Sequence, residues 1–275
     1  IYLMAASRLL PSISRILVSF QKIKFNSKTI DIIYNENNLE FETNLYKDKK
    51  LNTKFNKKIT LRDIHFMYPK TEEFVLENLN LDINKNSIIG IYGKSGVGKT
   101  TLINILCGLL KVDKGEIKID HSDSELRYTD LVDYIYYIPQ ATHIYDTSIK
   151  ENIALGLKNE EIDNKKLELS IKVTNLEELV KRMNSGNIGE SGAKISIGQA
   201  QRIGIARAFY FDREILIFDE PTSSLDVENE KDFIKSIDLI RGQKTIIIIS
   251  HKKETLKVCD IVFELKNKNL KESSI

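Results

Sequence analysis

Cysteine and histidine are scarce in this 275-residue chain, and neither is spaced to hold a metal. Cys107 and Cys259 lie far apart, each among apolar residues, which points to two reduced core thiols in a cytosolic compartment rather than a disulfide framework. His65, His121, His143 and His251 show no ligand spacing. No sign of charge dominates: 41 Lys+Arg stand against 39 Asp+Glu, a net +2 with no dense basic block, so nucleic acid is not expected as a partner. A long hydrophobic run is missing too. The stretch "IYLMAASRLLPSISRILVSF" is broken by Arg8, Pro11 and Arg15, a poor spanning helix, and read by itself the chain is expected to be soluble. No signal peptide is visible, and the opening Ile in place of Met is expected to mark a fragment boundary.

What is present divides in two. Leu9, Leu10, Ile13, Ile16, Leu17, Phe20 and Ile23 recur at helical spacing and predict a long amphipathic helix, with Pro11 as a point for a bend. The polar, aperiodic "NENNLEFETNLYKDKKLNTKFNKK" that follows reads as a linker, giving a boundary between residues 1–50 and a main domain over 51–275. From Ile59 the pattern is strand-like: Ile59 and Leu61, then Ile64 and Phe66 with the phase shifted, then Leu79, Leu81 and Ile83, which predicts an antiparallel β-subdomain near 57–85. Short runs apolar on both faces, "IIGIY" at 88–92, "ILIF" at 215–218 and the isoleucines of 246–249, read as parallel strands covered by helices. The charged stretch between them predicts a helical subdomain near 145–210.

The first apolar run leads into "GKSGVGKTT", Gly93, Lys94, Ser95, Gly96, Val97, Gly98, Lys99, Thr100 and Thr101, and then an apolar helix. This strand, glycine loop and helix is a phosphate-binding arrangement: loop N–H groups and the helix N-terminus cradle the anion, Lys99 reaches the β- and γ-phosphates, and the Thr100 hydroxyl ligates Mg²⁺. The second run ends in "DEPTSSLD", with Asp219 placed to hold Mg²⁺ through water and Glu220 a candidate base, unless the two carboxylates merely cap a strand. His251 follows the isoleucine run and is expected to emerge at the same carboxyl edge, although by spacing alone a single His after a strand is more often structural. Gln140 in "YIYYIPQ" is weak alone, and Tyr68 in "HFMYP" reads either as a core aromatic or as a ring to stack on a base. The Ser/Gly/Gln loop in "AKISIGQAQRIGIARA" carries no nucleophile, metal cluster or base.

In order, and over nearly all of residues 57–265, these pieces resemble the nucleotide-binding domain of ABC transporters. The resemblance implies an α/β P-loop NTPase fold, a RecA-like mainly parallel sheet with antiparallel β and α-helical subdomains, that binds and hydrolyses ATP with Mg²⁺. It makes Tyr68 the A-loop aromatic, Gln140 the Q-loop residue serving catalysis and metal, "ISIGQ" at 195–199 the signature, Asp219 the end of Walker B, Glu220 the catalytic glutamate, "SSLD" at 223–226 the D-loop and His251 the switch histidine. It also explains the baseless polar loop, because Ser196, Gly198 and Gln199 then contact ATP held by a second ATPase domain, in a homodimer or heterodimer. Ile197 stands where the family pattern has Gly. Either the backbone there is ordinary and the side chain turns away, or the site is weakened; the intact Glu220, His251 and Gln140 favour the first.

"AASRLLPSISRI" with "FQKIKFNSKTIDIIYNE" resembles the end of the last transmembrane helix of an exporter half-transporter of lipid-linked sugars. "HIYDTSIKENIALG" and "NIGESG" are similar to exporter segments in which the Glu190 loop senses the membrane domain, whereas Pro221 is commoner in importers. The resemblance therefore implies an exporter or flippase ATPase at the cytoplasmic face of the plasma membrane, partnered by a transmembrane domain. The alternatives are a stand-alone importer ATPase and an ATP-sensing module without transport. A GTPase is disfavoured, since "NKNL" at 267–270 lacks the Asp of N-K-x-D.

Overall fold

Each apolar run feeds two cores. In the computed structural model, which describes residues 2–37, 55–69, 71–120, 128–184, 186–223 and 227–274, the runs become strands β3 (Ile88–Tyr92), β6 (Ile215–Asp219) and β7 (Thr245–Ile249). Successive strand side chains point to opposite faces. Ile89, Ile91, Ile215, Ile217, Ile247 and Ile249 accordingly join one buried cluster, while Ile88, Leu216, Phe218, Ile246 and Ile248 join another. A strand wetted on one face would not tolerate this composition; one covered on both requires it.

The sheet order is β5-β6-β7-β3-β8-β9, where β5 is Ile135–Ile138, β8 is Ile261–Lys266 and β9 is Asn269–Glu272. All neighbours pair in parallel except β9, which folds back antiparallel on β8. The P-loop NTPase α/β fold implied by the motifs is the observed one. A second sheet of β1 (Lys58–Phe66), β2 (Leu76–Asn84) and β4 (Lys114–Ile119) is antiparallel in the order β2-β1-β4. The phase shift after Leu61 corresponds to a break in register between Leu61 and Ile64, where Asp63 takes a positive φ of 52°. The sequence pattern reached β1 and β2 but not β4, whose residues 114–116 are exposed and show no alternation.

Between the sheets' strands run α2 (Lys99–Leu106), α3 (Ile149–Ile153), α4 (Asn164–Val173), α5 (Glu177–Met183), α6 (Ile197–Tyr210), α7 (Val227–Ile240) and α8 (Lys253–Leu256). Elements α3 to α6 share their own core, with Ile149, Ile153, Leu167, Leu179, Ile203 and Ala206 among its members, so the helical subdomain has a separate apolar centre. Arg207 is its buried polar strut: Nε donates to Asn152 O, and Nη2 donates to His143 O at 2.8 Å and Asn152 Oδ1 at 3.2 Å.

The chain divides into two units, Ile1–Lys49 and Lys50–Ile275. In the first, α1 (Tyr2–Asn37) runs as one helix through Pro11, and Leu10, Ile16, Phe20 and Ile23 are all exposed. Among the described residues no helix is long and apolar enough to cross a membrane. Residues 38–54 of the expected linker and the 50/51 boundary lie outside the described residues, as do His121 and residues 224–226 of the D-loop, whereas residues 35–37 continue α1 and Lys58 opens β1.

Candidate nucleotide site

Three neighbouring parallel strands, β3, β7 and β6, end side by side. Their carboxyl ends deliver the phosphate loop, His251 and the pair Asp219 and Glu220. Two loop glycines are there for different reasons. A Cβ on Gly93 would lie 2.5 Å from the carbonyl oxygen of Leu265, so the chain can leave β3 beside β8 only with no side chain. Gly98 has φ 111° and forms the N-cap of α2 with no side-chain cap, leaving the helix's first N–H groups for an external anion.

Within this loop the Lys99 ammonium donates to Gly93 O at 2.8 Å and Lys94 O at 3.1 Å. Burial lowers its pKa, and the negative charges of Glu220 and Asp219 act against that shift. The His251 Nε2 is 3.2 Å from Lys99 Nζ and 3.1 Å from Glu220 Oε1. One ring nitrogen accepts from the lysine when bare and donates to the carboxylate when protonated, so the contacts are alternatives. Glu220 itself sits at φ 47°, turning the chain directly after β6, while its N–H donates to Ile249 O at 2.8 Å and extends the β6–β7 ladder.

The Asp219 carboxylate has a partner that spacing did not reveal. Tyr137 on β5 donates its hydroxyl to Asp219 Oδ2 at 2.9 Å. Burial, then the adjacent Asp219 carboxylate, push the phenol above its ordinary value, so it remains a donor at neutral pH. The short apolar run "YIYYI" carries no sign of a partner 82 positions away.

Gln140 reaches the other side of the same turn: its Nε2 donates to Ser223 Oγ at 2.6 Å, and Ser223 Oγ donates to Glu220 O at 3.0 Å. Tyr68 packs edge-on against Phe66, with ring centroids 5.0 Å apart, and its hydroxyl is 3.1 Å from Thr101 Oγ1. It therefore stands beside the phosphate-loop helix with the residue 36% exposed, neither fully core nor free. Thr101 is buried and its hydroxyl is engaged by Tyr68, whereas Lys94, Ser95, Gly96 and Thr100 are exposed. Thr100 and Asp219 offer oxygen donors of the kind Mg²⁺ takes with phosphates. Among the described residues no group of three or more His, Cys, Asp or Glu is gathered to hold an ion alone.

The signature segment stands apart. Ser196 is the N-cap of α6: its Oγ accepts from Gln199 N at 3.2 Å, and Gln199 Oε1 accepts from Ser196 N at 3.0 Å. Ile197 is the first helical residue, not a left-handed one, and its side chain is half exposed. The ordinary-backbone reading of Ile197 is the observed one. Among the described residues no hydrogen bond joins Ser196, Gly198 or Gln199 to the phosphate loop of the same chain.

Comparison with known proteins agrees with this geometry. The sequence profile described as "ABC transporter" matches residues 76–223. A "Probable ABC transporter ATP-binding/permease protein" of Haemophilus influenzae is 34% identical over 214 residues, covering 76% of this chain and 38% of that protein. An "ATP-dependent lipid A-core flippase" of Pectobacterium atrosepticum is 29% identical over 269 residues, 96% of this chain and 45% of the relative. The solved structure of a bacterial Atm1-family ABC exporter with ATP bound superposes with a TM-score of 0.67 at 27% identity, covering 80% of this chain and 39% of that one. The chain thus spans less than half the length of these relatives. With the profile covering more than half of it, the chain belongs to the ABC transporter family and carries that family's ATP-binding domain.

Proposed function

We propose that this chain is the ATP-hydrolysing end of an ABC exporter half-transporter with a lipid-linked or amphipathic cargo. The observation that carries the hydrolytic part is the convergence on one imidazole nitrogen, His251 Nε2, of Lys99 Nζ at 3.2 Å and Glu220 Oε1 at 3.1 Å. The exporter part is supported by relatives whose names denote a lipid A-core flippase and export proteins. The flippase match extends over 96% of this chain and so takes in most of α1, which we assign with the rest of residues 1–50 to the end of a membrane-domain helix and a linker.

In this reading ATP lays its phosphates over Gly93–Thr101, and its base meets the Tyr68 ring. Lys99 exchanges the Gly93 and Lys94 carbonyls for the β- and γ-phosphates, a trade of neutral acceptors for anionic ones. Thr100, Asp219 and Gln140 would hold Mg²⁺, which would neutralise charge on the phosphate oxygens. Tyr137 fixes one Asp219 oxygen and leaves the other free to serve Mg²⁺, which Asp219 would help to hold. Glu220 orients the attacking water and takes its proton, while His251, released by Lys99, donates to the γ-phosphoryl group.

Ser196, Gly198 and Gln199 serve ATP on a second ATPase domain, which accords with the lack, among the described residues, of any hydrogen bond to their own phosphate loop. Two chains then enclose two ATP molecules at the cytoplasmic face of a membrane, and hydrolysis parts them.

The test is Glu220→Gln with ATP, read by size-exclusion chromatography with light scattering and by phosphate release. An ATP-dependent dimer with turnover reduced by about 100-fold or more supports the reading. Near wild-type turnover removes Glu220 as the base, and a persistent monomer means that the partner domain or the membrane domain must hold the halves together.

A further inference from the structure

We propose that Glu230 is a positioning residue: through two buried threonine hydroxyls it holds the loop bearing His251 at a fixed distance from the loop bearing Glu220. The inference rests on the roles given to those two residues above.

The three members come from three elements. Thr222 lies two residues past Glu220, Thr255 lies on α8 four residues past His251, and Glu230 is on α7. Thr222 Oγ1 and Thr255 Oγ1 are 2.7 Å apart, and Thr255 Oγ1 donates to Glu230 Oε1 at 2.6 Å. A hydroxyl has one proton. Since Thr255 gives its proton to the carboxylate, it accepts from Thr222, and the chain runs in one direction to the anion. Both threonines are 0% exposed, and the Glu230 side chain only 12%. Lys252, next to His251, places Nζ 3.5 Å from the other oxygen, Oε2. The segment after His251 is thereby attached to Glu230 at two points, and the Glu220 loop joins the relay through Thr255.

The direct contact between His251 and Glu220 cannot do this work. Those side chains are 47% and 31% exposed, so water and salt screen the pair. A dry relay ending on a charge keeps its length far better, because each broken link leaves a buried polar group unpaired. Hydrolysis is sensitive to such a length: a misplacement of about 1 Å costs on the order of 100-fold in rate.

The test uses the full chain and Thr255→Val, which keeps the shape and removes the hydroxyl. We expect kcat for ATP to fall by about 10-fold with KM within about twofold, and Thr255→Ser to return kcat to within about twofold of the parent. On a His251→Ala background, Thr255→Val should cause no further loss, because the residue it positions is gone. A kcat within twofold in Thr255→Val, an undiminished loss on the His251→Ala background, or no recovery in Thr255→Ser overturns the proposal. Should Thr255→Val not fold, Glu230→Gln is read by the same criteria, with Glu230→Asp as the conservative control. If the parent chain and Glu220→Gln hydrolyse ATP equally, the hydrolytic reading fails by itself. The relay is then decided by the His251 imidazole NMR signals, which split or broaden in Thr255→Val if it positions the ring and stay unchanged if it does not.

Discussion

His251 Nε2 lies 3.1 Å from Glu220 Oε1 and shares that nitrogen with Lys99 Nζ, 3.2 Å away. A phosphate that draws Lys99 off removes one competitor and leaves the imidazole to the carboxylate and the incoming anion. His251→Ala is therefore expected to lower kcat by about 100-fold while the affinity for a non-hydrolysable ATP analogue changes by less than about threefold. Lys99→Ala should lose both. Calorimetric titration beside phosphate release separates them, and a parallel loss of affinity in His251→Ala would remove the histidine from the chemical step.

Tyr137 donates to Asp219 across two neighbouring strands, so Tyr137→Phe removes one hydroxyl and nothing else. Outer-shell partners of metal ligands are worth about 10- to 100-fold in metal affinity, and Tyr137 is 40% exposed, which places the effect at the lower end. The Mg²⁺ concentration for half-maximal ATP turnover should rise by about 10-fold, with turnover at saturating Mg²⁺ within about threefold. An unchanged Mg²⁺ curve would show that Asp219 is oriented without the phenol.

Ser196 has two tasks that substitution can divide. Ser196→Ala removes the N-cap of α6 and should cost about 1 kcal/mol of stability, whereas Ser196→Asp keeps a capping oxygen and most of that stability. The aspartate also brings negative charge to where a partner's γ-phosphate is proposed to lie. Thermal melting should therefore rank Asp above Ala, while ATP-dependent association in the Glu220→Gln background fails for both. Association retained in Ser196→Asp would place the signature away from the phosphate.

Cys107 and Cys259 are free, and burial pushes each thiol up to about 12 from the ordinary 9.0. At pH 8 both should react with iodoacetamide far more slowly in the native protein than in denaturant, read by mass spectrometry. The same shift carries a sign for stability. Between pH 9.0 and about 12 the folded chain retains protons that the unfolded chain loses, so stability should decline as pH rises through that window. Equal labelling rates in both states would mean that the two side chains are open to water.

Local signals fared well wherever one element carries its own pattern. The runs at 88–92, 215–218 and 246–249 are apolar on both faces and became β3, β6 and β7. Short β5, and β8 with β9, carried too few residues or too mixed a burial to stand out. The S-x-x-Q spacing at Ser196 and Gln199 was a capping signal, and it explains why Ile197 begins a helix instead of straining a loop. Contacts between distant residues left no such trace. Tyr137 and Asp219 are 82 residues apart and Glu230 and Thr255 are 25 apart, and only folding brings either pair within a hydrogen bond.

The strand that launches the phosphate loop is flanked in its sheet by β7 and β8, both of which follow it by more than half the length of the chain. During synthesis, β3 and its glycine loop thus leave the ribosome with neither sheet neighbour yet made. Closing so large a loop is among the slower events of folding. A chain halted before β7 has an exposed, apolar β3 with two open edges and no His251, so nucleotide can reward only the finished domain. The cradle is written early in the gene, and its sheet cannot close before the last of its neighbours is made.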